Sequence, residues 1–114
     1  MIQVLNMEIL TGQFVFPPDT GARSQVLPFP FDKQVRAAHV ALSGYDATYT
    51  SEDHHIKKLK VMLSTRLGLY NGFGVQVVAD FHLRDRNDDD PFRGSIDFVL
   101  FVEFVSHVPP VVMG

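Results

Sequence analysis

The chain has 114 residues and a mass of 12.8 kDa, which is enough for one hydrophobic core and too little for two. Hydrophobic residues form 46% of the chain and charged residues 20%, a balance that favours a globular domain over a disordered segment. The formal net charge of −3 argues against the basic surface that nucleic-acid phosphates require, and the lack of cysteine excludes disulfides, thiolate metal sites and a cysteine nucleophile. We therefore expect a single domain over residues 1–114 that does not bind nucleic acid.

The N-terminal segment, residues 1–8, lacks the basic and apolar regions of a signal peptide. No later apolar run approaches the roughly 20 residues of a membrane helix. The sequence therefore predicts neither a signal peptide nor a membrane span, and it leaves the compartment open.

Six segments alternate apolar and polar residues with a period of two, which is typical of strands that bury one face. In chain order, the predicted strands cover residues 4–16, 24–31, 34–44, 56–65, 72–83 and 94–105. Gly12 predicts a bulge or bend in the first strand. Pro28 and Pro30 place the second strand at a sheet edge, because proline cannot donate a hydrogen bond to a ladder.

Turn-rich segments separate these strands, at residues 17–21, 46–55, 68–72 and 84–94. Six short strands with no helical segment between them predict an all-β fold, a six-stranded antiparallel β-sandwich. The proline-containing tail, residues 106–114, cannot be a central strand, and we expect a neighbouring chain to cover its apolar residues.

The last predicted strand carries apolar residues on both faces. Val99, Phe101 and Val105 lie on the face opposite the predicted core, and large apolar patches on a surface usually mark an interface. We expect self-association through this face. The alternative is that the N-terminal segment or the tail covers it within one chain.

Two polar clusters are candidates for metal binding. Asp85, Asn87 and Asp89 bring several oxygen ligands together, as calcium requires, although the segment lacks the glycine and glutamate of an EF-hand loop. His54 and His55 are candidate transition-metal ligands, although neighbours on a strand point to opposite faces. A solvated loop is the alternative for each cluster.

Asp80, His82 and Arg84 share the polar face of the fifth predicted strand. Such a row can exchange hydrogen bonds with a hydroxylated ligand, and an exposed strand face without a ligand is the alternative. The flat apolar surface that a sugar ring needs could come from Tyr45, Tyr49 or Phe92.

Several segments resemble the H-type lectin pattern over about residues 10–105. They are residues 26–31, 42–45, 56–61 and 71–73, followed by the aromatic-histidine pair Phe81-His82. The resemblance implies a six-stranded sandwich that forms trimers, or hexamers from paired trimers. It also implies binding of galactose-type or N-acetylgalactosamine sugars in clefts between protomers.

Within this resemblance, Lys60 corresponds in type to the family's basic residue on the fourth strand, and Asp19 loosely to its acidic ligand near the first loop. Phe81-His82 corresponds to the family's Trp-His pair if one residue is inserted, and without that insertion Asp80 takes the place of the tryptophan. The chain itself contains no tryptophan. Together with the polar row, the candidate ligand-binding residues are Lys60, Asp80, Phe81, His82, Arg84 and Asp19.

Catalysis has no positive support, because the sequence contains no nucleophile elbow, phosphate-binding glycine loop or dinucleotide fingerprint. The first functional hypothesis is a non-enzymatic, homo-oligomeric carbohydrate-binding module that needs no cofactor, with calcium left open. The second is a structural or attachment subunit of a larger assembly without a small-molecule ligand. An enzyme with a metal at His54, His55 or His82 is the third.

Overall fold

The computed structural model describes residues 6–50, 58–84 and 91–105. These residues form six strands, with bounds β1 Met7–Asp19, β2 Arg23–Pro30, β3 Val35–Tyr49, β4 Lys58–Leu69, β5 Gly74–Arg84 and β6 Phe92–Phe104. The only helical element in the described part of the chain is a three-residue 3-10 turn, Tyr70–Gly72. The prediction of an all-β fold is confirmed, and none of the described residues belongs to a helix long and apolar enough to cross a bilayer.

The strands form two three-stranded antiparallel sheets, with strand orders β1-β6-β3 and β2-β5-β4. Each sheet has a strand from the C-terminal half of the chain at its centre. The proline-containing strand β2 lies at a sheet edge, as its two prolines predicted.

The two central strands supply most of the core, because every second residue of each strand is apolar and faces the opposite sheet. The side chains of Phe16, Phe81 and Phe92 pack together, with ring centroids 4.9 and 5.3 Å apart for the two pairs that include Phe81. The buried core consists of Phe14, Phe16, Val75, Val77, Ala79, Phe81, Leu83, Phe92, Ile96, Phe98, Leu100, Val102 and Phe104. The sheets therefore form a sandwich around one aromatic-rich layer.

The end of β3 differs from the prediction, which placed a turn at residues 46–55. β3 continues to Tyr49 and pairs with β6 along its whole length. A register shift between Leu42 and Gly44 changes which residues face the core, so the alternation in the sequence breaks although the strand continues.

The predicted bulge or bend at Gly12 is wrong. β1 pairs with β6 without a register shift from Met7 to Phe16. Gly12 instead leaves space for the ring of Phe98, since a Cβ atom at this position would lie 2.8 Å from the Phe98 Cε1 atom.

Antiparallel pairing gathers the strand termini at two opposite ends of the sandwich. The Asp19 end contains the last residue of β1 and of β5 and the first residue of β2 and of β6. The Phe73 end contains the β2–β3 turn, residues 31–34, and the 3-10 turn that precedes β5. These two ends carry two separate groups of polar residues.

Candidate functional site

Most of the predicted ligand-binding residues lie together on the outer face of the β2-β5-β4 sheet. Ala79, Phe81 and Leu83 are buried, so the alternating residues Asp80 and His82 face outward. Lys60 of β4 is the register partner of His82, and Ser24 of β2 is the register partner of Asp80. We call Ser24, Lys60, Asp80 and His82 the polar cluster.

One hydrogen bond within the polar cluster holds its carboxylate. The Ser24 hydroxyl donates to Oδ1 of Asp80, which joins the edge strand β2 to the central strand β5. Lys60 and His82 are half-buried, and the His82 ring lies 6.2 Å from that of Phe92 with an angle of 30° between the planes. Arg84 ends β5 on the same face and is exposed. The cluster thus combines a carboxylate, an ammonium group, an imidazole and a hydroxyl on three adjacent strands.

The apolar neighbour of the polar cluster is a methionine. Met62 of β4 is the register partner of Asp80 and is 52% exposed. Of the aromatic residues proposed to stack on a sugar, Phe92 is buried, Tyr49 is half-buried and Tyr45 is exposed, and both tyrosines lie on β3 in the other sheet. The apolar residues that could lie beneath a ligand at this face are therefore Met62 and Val26, which is 45% exposed on β2.

Phe81 does not fit the predicted role of a ligand-contacting residue. Its side chain is fully buried, and its ring packs on Phe16 and Phe92. The physical reason is the period of a strand, because neighbours of the outward-facing Asp80 and His82 must face inward. Phe81 therefore has no ring face to offer to a sugar.

Asp19 lies in the other sheet, at the last residue of β1, and is not part of the polar cluster. Its Oδ1 atom accepts a hydrogen bond of 2.8 Å from the backbone N–H of Thr20. Its charge acts on Arg23, because the carboxylate raises the pKa of that arginine while desolvation, the larger effect, lowers it. Within one chain, Asp19 thus interacts with Arg23.

Arg23 is the polar residue that the sequence analysis missed. Its Nη2 atom donates a hydrogen bond of 2.7 Å to the carbonyl of Phe92, and its Nη1 atom donates to the carbonyl of Pro17. Arg23 shares its parity with Leu27 and Phe29, both of which pack against the core. That parity was the signal in the sequence for an inward-facing arginine.

The predicted metal ligands lie in two segments outside the described residues, 51–57 and 85–90. These ligands are His54, His55, Asp85, Asn87 and Asp89. Within residues 6–50, 58–84 and 91–105, no group of three or more histidine and acidic side chains could hold a metal ion.

A cavity of about 390 Å³ lies at the Phe73 end, at the opposite end of the sandwich from Arg23 and Arg84. Its lining consists of Asn6, Asp32, Lys33, Gln34, Phe73 and Val105. None of these residues was predicted to bind a ligand, because they come from four separate segments of the chain.

The chain matches no model of a protein family, no curated protein and no solved structure. Its function is therefore inferred from the geometry of the folded chain.

Proposed function

We propose that this protein is a non-enzymatic, homo-oligomeric carbohydrate-binding module, similar to an H-type lectin, whose polar cluster binds galactose-type or N-acetylgalactosamine sugars. The observation that carries this proposal is the alignment of Lys60 with His82 and of Ser24 with Asp80 on one outer face. Adjacent strands lie about 4.8 Å apart, so one monosaccharide can reach side chains on two of them.

The chemistry of the polar cluster suits a hydroxylated ligand. The Asp80 carboxylate accepts hydrogen bonds, the Lys60 ammonium group donates them, and an imidazole such as that of His82 does both. Hydrogen bonds to charged groups are roughly twice as strong as those between neutral groups, which favours a ligand that presents several hydroxyls. Met62 provides apolar surface for the C–H face of a sugar ring.

Such a site is shallow, and binding at one copy would be weak. Oligomerisation compensates for weak sites, since linked sites gain avidity without any new contact. The outer face of the β1-β6-β3 sheet supports self-association. We call it the apolar face after its apolar residues, Met7, Ile9, Val15, Val99 and Phe101, between which Gln13 and Asp97 form a hydrogen bond. A trimer or hexamer would place several polar clusters on one particle.

The proposal is tested by titrating galactose and N-acetylgalactosamine into the wild-type protein and two variants by calorimetry. Lys60→Met and Asp80→Asn each remove one charged partner of the ligand, and we expect affinity to fall at least about tenfold for each, a loss of about 1.4 kcal/mol. The matched control is Arg66→Met. Arg66 lies on the same face of β4, six residues and about 20 Å from Lys60. Wild-type protein that binds neither sugar at millimolar concentration would refute the lectin proposal.

A second candidate function, an assembly or attachment subunit without a small-molecule ligand, is favoured by the apolar face. Ile9 is 61% exposed and Val15 59% exposed, although each lies in a strand of an otherwise well-packed sheet. Light scattering separates the two functions when combined with the titration. An oligomer that binds no sugar supports the assembly subunit, and an oligomer whose sugar binding is lost on Asp80→Asn supports the lectin.

A further inference from the structure

We infer that the cavity at the Phe73 end is a second binding site, which takes a small neutral polyhydroxylated molecule such as a monosaccharide. This inference goes beyond the proposed function, because the cavity shares no residue with the polar cluster and lies at the far end of the sandwich. Its volume of about 390 Å³ falls within the range of about 300–1,000 Å³ that is typical of ligand pockets.

The walls of the cavity are tied together by backbone hydrogen bonds between segments that are distant in sequence. The N–H of Val105 donates to the carbonyl of Gln34 over 2.8 Å, and the N–H of Phe104 donates to the carbonyl of Asn6 over 2.9 Å. The N–H of Phe31 donates to the carbonyl of Phe73 over 2.7 Å. These bonds join the start of β1, the β2–β3 turn, the start of β5 and the end of β6. The backbone around the cavity is therefore held in place without a ligand, which reduces the entropy lost on binding.

An unusual turn presents an aromatic ring to this cavity. Tyr70, Asn71 and Gly72 have φ angles of 54°, 56° and 94°, which is the left-handed region that a tyrosine rarely adopts. Strained backbone of this kind concentrates at functional sites. The residue that follows the turn is Phe73, whose side chain is 42% exposed although it is large and apolar. An exposed ring beside polar groups is the surface on which a sugar ring stacks.

The charges of the lining select the class of ligand. Asp32 and Lys33 cancel one another, and Asn6 and Gln34 contribute neutral amides. The Lys33 ammonium group donates a hydrogen bond of 3.1 Å to Oδ1 of Asn6 and lies 5.7 Å from the ring centroid of Phe104. The lining thus has no net charge to attract an anion or a cation. The Asp32 carboxylate and the two amides offer acceptors and donors to hydroxyl groups.

The absence of tryptophan from the chain allows a direct test. Phe73→Trp introduces the only indole and keeps an aromatic ring at the cavity. We expect a saturable change of its fluorescence on titration with galactose or glucose, with a dissociation constant in the millimolar range, and weaker binding of glucuronate and glucosamine, which carry a charge. Adding Asp32→Asn or Gln34→Ala to this variant should weaken binding of the neutral sugars at least about tenfold.

The matched control is Asp46→Asn, which removes the same charge from an exposed aspartate of β3 outside the cavity and should leave the titration unchanged. A fluorescence that does not respond saturably to either neutral sugar overturns the inference. A loss of affinity in Asp46→Asn equal to that in Asp32→Asn also overturns it.

Amide chemical shifts of the unaltered protein, recorded with and without galactose, provide a measurement that does not depend on the tryptophan. Shifts at residues 32–34 and at Phe73 support the second site. Shifts confined to Lys60, Asp80 and His82 support the proposed function and overturn this inference. Shifts confined to the cavity support this inference and contradict the proposed function of the polar cluster. The two proposals can therefore fail separately.

Discussion

Arg23 binds Phe92 in two ways: its guanidinium carbon lies 4.5 Å from the ring centroid, and its Nη2 atom donates a hydrogen bond of 2.7 Å to the carbonyl of the same residue. Because Arg23 begins β2 and Phe92 begins β6, a single side chain connects the two sheets at the Asp19 end. Desolvation of the guanidinium group opposes this connection and lowers the pKa of Arg23. The buried Nε atom of Arg23 has no hydrogen bond to any described residue, which adds to this cost.

The first prediction concerns this connection. Arg23→Met keeps the apolar stem and removes the guanidinium group, so two backbone carbonyls lose their charged donor. We expect the free energy of unfolding to fall by about 2 kcal/mol, because hydrogen bonds to charged groups contribute about 1.5–3 kcal/mol and the relieved desolvation offsets part of the loss.

Urea denaturation measures this change, and Arg36→Met is its control. Arg36 and Glu103 form an exposed ion pair of 3.7 Å, with side chains 68% and 39% exposed, and such pairs contribute about 0–1 kcal/mol. Equal midpoints for the two variants would show that Arg23 does not connect the sheets in solution.

The second prediction concerns close packing over β6. A Cβ atom at Gly94 would overlap the backbone carbonyl oxygen of Asp46 and lie 2.9 Å from the Phe81 Cε2 atom. Gly94→Ala should therefore destabilise the fold by about 1–3 kcal/mol, as overpacked cores do. A Cβ atom at Gly44 would lie 3.3 Å from the Oδ2 atom of Asp97, and the Asp97 side chain can move to relieve this contact.

Thermal denaturation of Gly94→Ala and Gly44→Ala checks this difference. For a chain of this size, we expect the midpoint temperature of Gly94→Ala to fall by about 5 °C or more, since 1 kcal/mol corresponds to about 4–8 °C in domains of 60–100 residues. A larger loss in Gly44→Ala would contradict the packing described for β6.

The third prediction compares how much two phenylalanines, Phe81 and Phe73, contribute to stability. Phe81→Ala should lower the free energy of unfolding by about 3–5 kcal/mol, because the ring is fully buried among Phe16 and Phe92. Phe73→Ala should lower it by about 1 kcal/mol or less, since much of that side chain already contacts water. Chemical denaturation provides the comparison, and a small effect of Phe81→Ala would place this ring at the surface after all.

The fourth prediction concerns the apolar face. Ile9→Lys puts a charge beside its register partner Phe101, at a position that is 61% exposed. We expect the variant to remain folded, as judged by circular dichroism, and to lose self-association, because an unpaired charge is costly to bury in an interface.

Multi-angle light scattering measures the mass of the Ile9→Lys variant, with Val26→Lys as control. Val26 is 45% exposed on the outer face of the other sheet, so its replacement should leave the mass of the oligomer unchanged. Self-association through the apolar face is disproved if Ile9→Lys has the mass of the wild-type oligomer or if the wild-type protein is a monomer.

The elements that were predicted well are those whose signal is local. Residues 72–83 alternate except at Val78, and β5 with its buried face was expected from that pattern. The edge position of β2 followed from Pro28 and Pro30, because a missing N–H is a property of the residue itself. β3 was cut short because the register shift after Leu42 reverses the alternation, and a local pattern cannot distinguish a shifted strand from a turn.

The candidate site was predicted in part. The parity of β5 brought Asp80 and His82 to one face, and the same parity shows that Phe81 must be buried. The expectation that Phe81 contacts a ligand came from the resemblance to a family and conflicted with this alternation. Where the two disagree, the alternation is the stronger guide, because it follows from backbone geometry.

Outside the shifted end of β3, the sequence by itself determined where the strands lie and which face of each strand is apolar, since both depend on side chains that are neighbours along the chain. Only the tertiary structure decided that Lys60 lies opposite His82, that Arg23 reaches a carbonyl 69 residues away, and that four segments enclose the cavity at the Phe73 end. These relationships depend on strand order and register, which are set by how the whole core packs and not by any short stretch of sequence.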